Sequence, residues 1–219
     1  MSDFARHLPL SQRPNGDESG VTNDRRPMIG DALCRIADLL ESLPAPEWEA
    51  ASLCSGWRVR DVAGHLVWRL GSSTPELLAS ARDAVFCERV PPWRVIDWVS
   101  RRAALSTPDD LVMQLRGVAD ARLANRGRKG VHELTEVIVH GYDIAHALGR
   151  PISFARAATG AVAFARTPAA PTAIKAAVRG RTLVASDAGW SVGHGPELVA
   201  PAEAHILFLF GRSRSLPST

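Results

Sequence analysis

Residues 131–149 read VHELTEVIVHGYDIAHALG, and the way this stretch winds decides the fold. At about 100° per residue, Leu134, Ile138, Gly141, Ala145 and Leu148 fall within about 40° of one line, the spacing of a helix packed into a bundle. His132, Glu136, His140 and Asp143 form a second stripe roughly opposite. A polar stripe is ordinarily a solvated face. Here Val139 and Ala147 lie in or beside it, and Val137, Tyr142 and Ile144 flank it, so this helix is expected to be covered on more than one side. Glu136 and His140, one turn apart, can offer a hard oxygen and a borderline nitrogen to the same divalent ion. Two ligands do not hold a metal tightly, so a third must come from elsewhere in the chain.

Working outward, Ile29, Leu33, Ile36, Leu40 and Leu43 repeat at three and four from Met28 until Pro44 and Pro46 end the pattern, giving a first helix. After the loop EWEAASLCSGW, the segment RVRDVAGHLVWRLG carries a stripe of Val59, Ala63, Leu66 and Leu70 closed by Gly71. His65 sits off that stripe, on the side of Asp61 and Trp68. Residues 74–86 and 93–102 are helical in composition, with Pro91 and Pro92 between them. A third long helix opens at TPDD, where Thr107 can cap and Pro108 suits the first helical position. The 131–149 helix is then the fourth, ended by Gly149 and Pro151. Four long helices with short and medium connections predict a mainly α chain built on a four-helix bundle, an architecture that builds metal sites from inward side chains of facing helices.

Beyond Pro151 the texture changes. An Ala-rich segment precedes GRTLVASDAGWSVGHG, whose β-branched runs, separated by Asp187, Ala188 and Gly189, predict a hairpin, and Pro201 opens a last helix closed by Gly211. The expected organisation is a polar, disordered tail over residues 1–27, a metal-binding bundle over 28–150, and a small α+β C-terminal appendage over 151–214.

Composition narrows the function. The chain has 219 residues, 46% hydrophobic and 22% charged, which are globular values for a length that buries a core. The net charge of +3 comes from scattered Arg residues and makes nucleic acid an unexpected partner. No apolar run approaches the ~18 residues that cross a bilayer, and the N-terminus lacks a signal-peptide core, so a cytoplasmic protein without a membrane partner is expected. Cys34, Cys54 and Cys87 form no CxxC pair and are expected to be reduced, small, buried side chains rather than a disulfide framework or a thiolate zinc site.

Three segments together, CSGWRVRDVAGHL (54–66), ELTEVIVHGYDIAHALG (133–149) and DAGWSVGHGPELVAPAEAHILFLFGR (187–212), resemble the mycothiol-dependent maleylpyruvate isomerase family, actinobacterial thiol-dependent metalloenzymes on a DinB-like helical bundle. The resemblance spans residues 28–212. It implies a metal site of His65, Glu136 and His140, and so supplies the missing third ligand. Zinc suits such a set with a fourth position open. Asp143 is placed either to orient His140 or to pair with an Arg. Arg212 matches an Arg implicated in the family's reaction, where it could hold a substrate carboxylate. The alternative for Arg212 is a helix-terminal Arg satisfying carbonyls. His132 is a spare ligand, and His146 and His205 read as surface or hydrogen-bonded core histidines. Departures are Gly64 where Ala is usual, Tyr142 for Trp and Ala200 for Gly.

The function implied is a metal- and mycothiol-dependent isomerase or S-transferase acting on a small electrophile, as a monomer or weak homodimer. No cysteine of the chain is expected to serve as the nucleophile, so the sulfur comes from the low-molecular-weight thiol. The alternative is a non-catalytic metal-binding bundle that binds or senses a small molecule or a protein partner. The electrophile is not specified, because residues 71–106, the variable stretch, would contact it.

Overall fold

The computed structural model describes residues 23–213 and 215–217. The tail expected over residues 1–27 lies, for residues 1–22, outside the described residues. Arg26 and Pro27 already form the first turn of α1 (Arg26–Glu41), Pro27 standing where a missing N–H costs nothing.

Four helices make the bundle: α1, α3 (Val59–Gly71), α6 (Pro108–Leu123) and α7 (Val131–Ala147), with the single turn α2 (Ala45–Trp48) between the first two. α1 packs on α6 and α7, and α3 packs on the same two. The predicted stripes meet at the centre, where Ile29, Leu33, Ile36, Leu40, Leu66, Leu70, Leu111, Leu115, Leu134 and Ile138 are no more than 1% exposed. Each such side chain contributes about 1.5–3 kcal/mol by leaving water. On α7, Val137, Tyr142, Asp143 and Ile144 are buried as well, so this helix is covered on more than one side.

Capping follows local chemistry. The Thr107 hydroxyl accepts from the Asp110 N–H at 3.2 Å, with Pro108 in the first turn of α6. α7 ends at Gly149, whose φ of +61° suits a residue without Cβ. Two arginines cap the C-terminal carbonyls of α3: Arg122 donates to Leu70 O at 2.7 Å, and Arg128 donates to Arg69 O.

Between α3 and α6 the chain forms α4 (Thr74–Phe86), a 3-10 turn at Pro92–Arg94, and α5 (Val95–Ala103). α5 lies along α3 so closely that a Cβ on Gly64 would sit 2.6 Å from Ala104 N and 2.7 Å from Ser100 O. Both are backbone atoms that cannot step aside. Gly64→Ala is therefore expected to push α5 off α3 and lower stability by about 1–3 kcal/mol, read from urea unfolding midpoints. An unchanged midpoint would contradict this packing.

The C-terminal part carries α8 (Arg156–Ala169), α9 (Thr172–Val178), three strands and α10 (Ala202–Leu209). The predicted hairpin forms, with β1 (Thr182–Ala185) antiparallel to β2 (Ser191–Gly193) and Leu183 opposite Val192. A third strand was not foreseen: β3 (Glu197–Ala200) pairs with β1 in parallel, in the order β2-β1-β3. Four residues between Pro196 and Pro201 carry too little alternation to read as a strand, and their pairing is decided by the partner. Ala158, Val162, Ile206 and Leu207 join the apolar cluster of the bundle. α8 and α10 thus cover the flank of α7. No helix among the described residues is long and apolar enough to cross a membrane.

Candidate metal centre

α3 and α7 face each other, and this brings His65, Glu136 and His140 together. Their ligand atoms all lie within 4.8 Å of one another. Glu136 Oε2 is 3.0 Å from His65 Nε2 and 3.4 Å from His140 Nε2.

The hydrogen bonds behind the rings fix which nitrogens face inward. Ser100 Oγ donates its single proton to Ile96 O at 2.6 Å, so towards His65 Nδ1, 3.1 Å away, it can only accept. His65 therefore carries its proton on Nδ1 and presents the Nε2 lone pair to the site. His140 Nδ1 is 3.0 Å from Asp143 Oδ2, a carboxylate that accepts, and its Nε2 faces the same point. Two imidazole lone pairs and a carboxylate oxygen converging on one spot repel each other unless a cation lies among them. In a tetrahedral site with bonds of about 2.1 Å, donor atoms stand about 3.4 Å apart, and the two separations from Glu136, 3.0 and 3.4 Å, are of that size. The residues present fit a divalent ion.

The charges favoured for the three groups suit a divalent cation. Burial pushes the Glu136 carboxyl up, yet the His140 and His65 rings beside it hold it well below the usual carboxylate range. Burial also drives His65 down, favouring neutral imidazole. His140 is raised well above its ordinary value: burial opposes its charge, but the bonds to Asp143, Cys54 and Glu136 outweigh it. A divalent ion held by these residues would supply the positive charge facing Glu136 that a proton on the His140 ring otherwise provides.

Asp143 is the hub behind the site. It is fully buried, and its carboxylate accepts from Arg212 Nε at 2.8 Å and Nη2 at 3.1 Å, as well as from His140. Burial raises this carboxyl, but His140 and Arg212 together hold it low. Both expectations for Asp143, orienting His140 and pairing with an Arg, are met at once. Among the described residues the Arg212 side chain bonds no carbonyl. It grips Asp143 bidentately, with the side chain 28% exposed.

Cys54 is the residue the sequence reading missed. Its thiol donates to Asp143 Oδ2 at 3.0 Å and lies 3.5 Å from both His140 Nδ1 and Arg212 Nη2. Leu53 N donates to Asp143 O at 3.1 Å, tying the loop to α7 and delivering Cys54 there. Nothing in the spacing of CSGW signals that contact. Of the other cysteines, expected to be buried, Cys34 is partly exposed and Cys87 exposed. Cys87 follows the last residue of α4 on an outer turn, where no helix covers it.

Trp57, at the end of the same loop, stands with its ring 5.2 Å from that of His65 and 6.4 Å from that of His140. Its Nε1–H donates to Asp97 at 2.8 Å, and Arg101 bonds the same oxygen at 2.8 Å, so α5 clamps this ring in place. Trp68 borders His65 on another side, 6.0 Å between rings. The spare ligand His132 is exposed, beside Arg69 and Glu133, and does not reach the centre. His146 pairs with Glu203 at 2.7 Å on the surface, and His205, fully buried, lies 3.0 Å from Val184 O.

Residues 29–132 match the family described as mycothiol maleylpyruvate isomerase N-terminal domain. The match takes in His65 and ends before Glu136, His140 and Arg212. Among solved structures, the crystal structure of the mycothiol-dependent maleylpyruvate isomerase aligns at a TM-score of 0.53 and 12% identity, over 91% of this chain and 93% of that one. A mutant of that isomerase aligns at 0.49 and 13% identity over the same shares. The first likeness shows a shared fold. No curated protein matches the chain.

Proposed function

We propose, for a chain whose residues 29–132 match the mycothiol maleylpyruvate isomerase N-terminal domain family, that it is a metal-dependent enzyme working with a low-molecular-weight thiol, mycothiol, on a small electrophile. The observation that carries this reading is the convergence of His65, Glu136 and His140, each histidine anchored from behind by a hydrogen bond. These three would hold a divalent ion, zinc by the chemistry of the donors, with a position left open. Such an ion supplies a Lewis acid that keeps a bound thiol in its reactive thiolate form.

The remaining roles belong to the chain itself. Asp143 holds His140 in the orientation that leaves Nε2 free, and Ser100 does the same for His65. Trp57 and Trp68 keep water from the rings they border. Cys54, 8% exposed and donating to Asp143, is not placed to replace the added thiol. Arg212 has its Nε and Nη2 committed to Asp143 and Cys54, and its Nη1 is the group we assign to a substrate carboxylate. The sulfur of the cosubstrate would add to an activated carbon. Elimination after bond rotation then returns the thiol with an isomerised product, whereas retention of the new C–S bond gives a thioether.

A non-catalytic metal-binding bundle that senses a small molecule or protein partner draws support from the same Arg212–Asp143 pair, which ties up much of the cationic group nearest the site. One experiment separates the two. The purified protein is expected to hold about one divalent ion per chain, to lose it to a chelator, and to show thiol-dependent turnover of an electrophile panel only when metal and mycothiol are both present. Metal uptake without turnover favours the binding bundle. No metal and no uptake of added zinc overturns both.

A further inference from the structure

A second site lies away from the metal centre, between α9 and the face of the sheet formed by β1 and β2. It is a cleft of about 620 Å³. Its floor is apolar, made by Val178, Leu183 and Val192, with Leu183 and Val192 directly opposite each other across the strands. Arg181, just before β1, and His194, just after β2, border the floor at the ends of these strands. Lys175 and Arg179 border it from α9 and the turn after it.

No aspartate or glutamate lines the cleft, and among the described residues none of these four basic side chains makes an ion pair or a side-chain hydrogen bond. This contrasts with much of the surface, where Arg35, Arg58, Arg60, Arg116 and Arg150 each hold a carboxylate. The three cations Lys175, Arg179 and Arg181, gathered around one concavity, raise the local potential, and an anion seated among them relieves it. The volume falls within the roughly 300–1,000 Å³ of small-molecule sites. With one imidazole and neither carboxylate nor thiolate in the lining, the cleft lacks a donor set for a metal ion.

We propose that this cleft binds a small organic anion: an apolar aryl or acyl body on the Val178–Leu183–Val192 floor, with its carboxylate or sulfonate among Lys175, Arg179, Arg181 and His194. The site shares no residue with the metal centre, so it stands whether or not the enzymatic reading does.

The test uses the full chain and the fluorescent probe 8-anilino-1-naphthalenesulfonate, which joins an apolar body to an anion. Saturable binding near one per chain is expected, weakening with added salt. Arg181→Glu and Lys175→Glu, both at exposed positions, should each weaken it by about tenfold or more while circular dichroism and metal content stay unchanged. The neutral analogue N-phenyl-1-naphthylamine should bind far more weakly. Equal affinity in wild type and both charge-reversal variants overturns the proposal. So does equal binding of the neutral analogue, or loss of probe binding on replacing the exposed Trp93 instead.

Discussion

Replacing His140 by alanine is expected to strip the protein of its metal and of thiol-dependent turnover, by about 100-fold or more in each, while its helical circular dichroism stays in place. The size follows from coordination. Removing an outer-shell partner of a ligand already costs roughly 10–100-fold in affinity, and here one of three protein donors itself is lost. The fold should persist because the ring of His140 lies apart from the core-facing residues Leu134, Ile138 and Ile144, which are fully buried and untouched. His146→Ala is the matched control. It sits on the same helix, its side chain is 57% exposed, and its pair with Glu203 is of the surface kind that contributes at most about 1 kcal/mol. That variant should keep both metal and turnover. If the two variants behave alike, the inward stripe of α7 holds no metal, and the enzymatic reading falls with it.

Asp143→Ala is expected to damage stability and site together. The carboxylate is fully buried and holds Arg212 through two hydrogen bonds, so its removal leaves a partly exposed guanidinium without its counter-charge, at a cost of about 1–3 kcal/mol. The same change frees the His140 ring and removes the acceptor of the Cys54 thiol. Metal affinity should fall roughly 10–100-fold even in the variant molecules that remain folded. Urea unfolding and a metal competition titration read the two effects separately. Asp143→Asn keeps the shape and a hydrogen-bond acceptor, and should recover part of the stability but little of the charge balance around His140. Unfolding midpoints equal to wild type in both variants would show that the Arg212–Asp143 pair contributes nothing.

The sequence by itself determined the parts of this protein that local chemistry controls. Helix periodicity put Leu134 and Ile138 in the core and Glu136 beside His140, because residues four apart on a helix share a face whatever surrounds them. Thr107, Pro108 and Gly149 marked helix ends because capping and positive φ are properties of a few consecutive residues. That His65 belongs with Glu136 and His140 was legible only through a family resemblance, since no spacing rule links positions on two different helices. The tertiary structure alone decided the rest. It set Arg212 on Asp143 across 69 residues of chain, brought Cys54 to the same carboxylate, and paired β3 with β1 in parallel. Each of these contacts depends on how helices and strands dock, and docking is fixed by the summed burial of many apolar side chains, not by the pattern of any one segment.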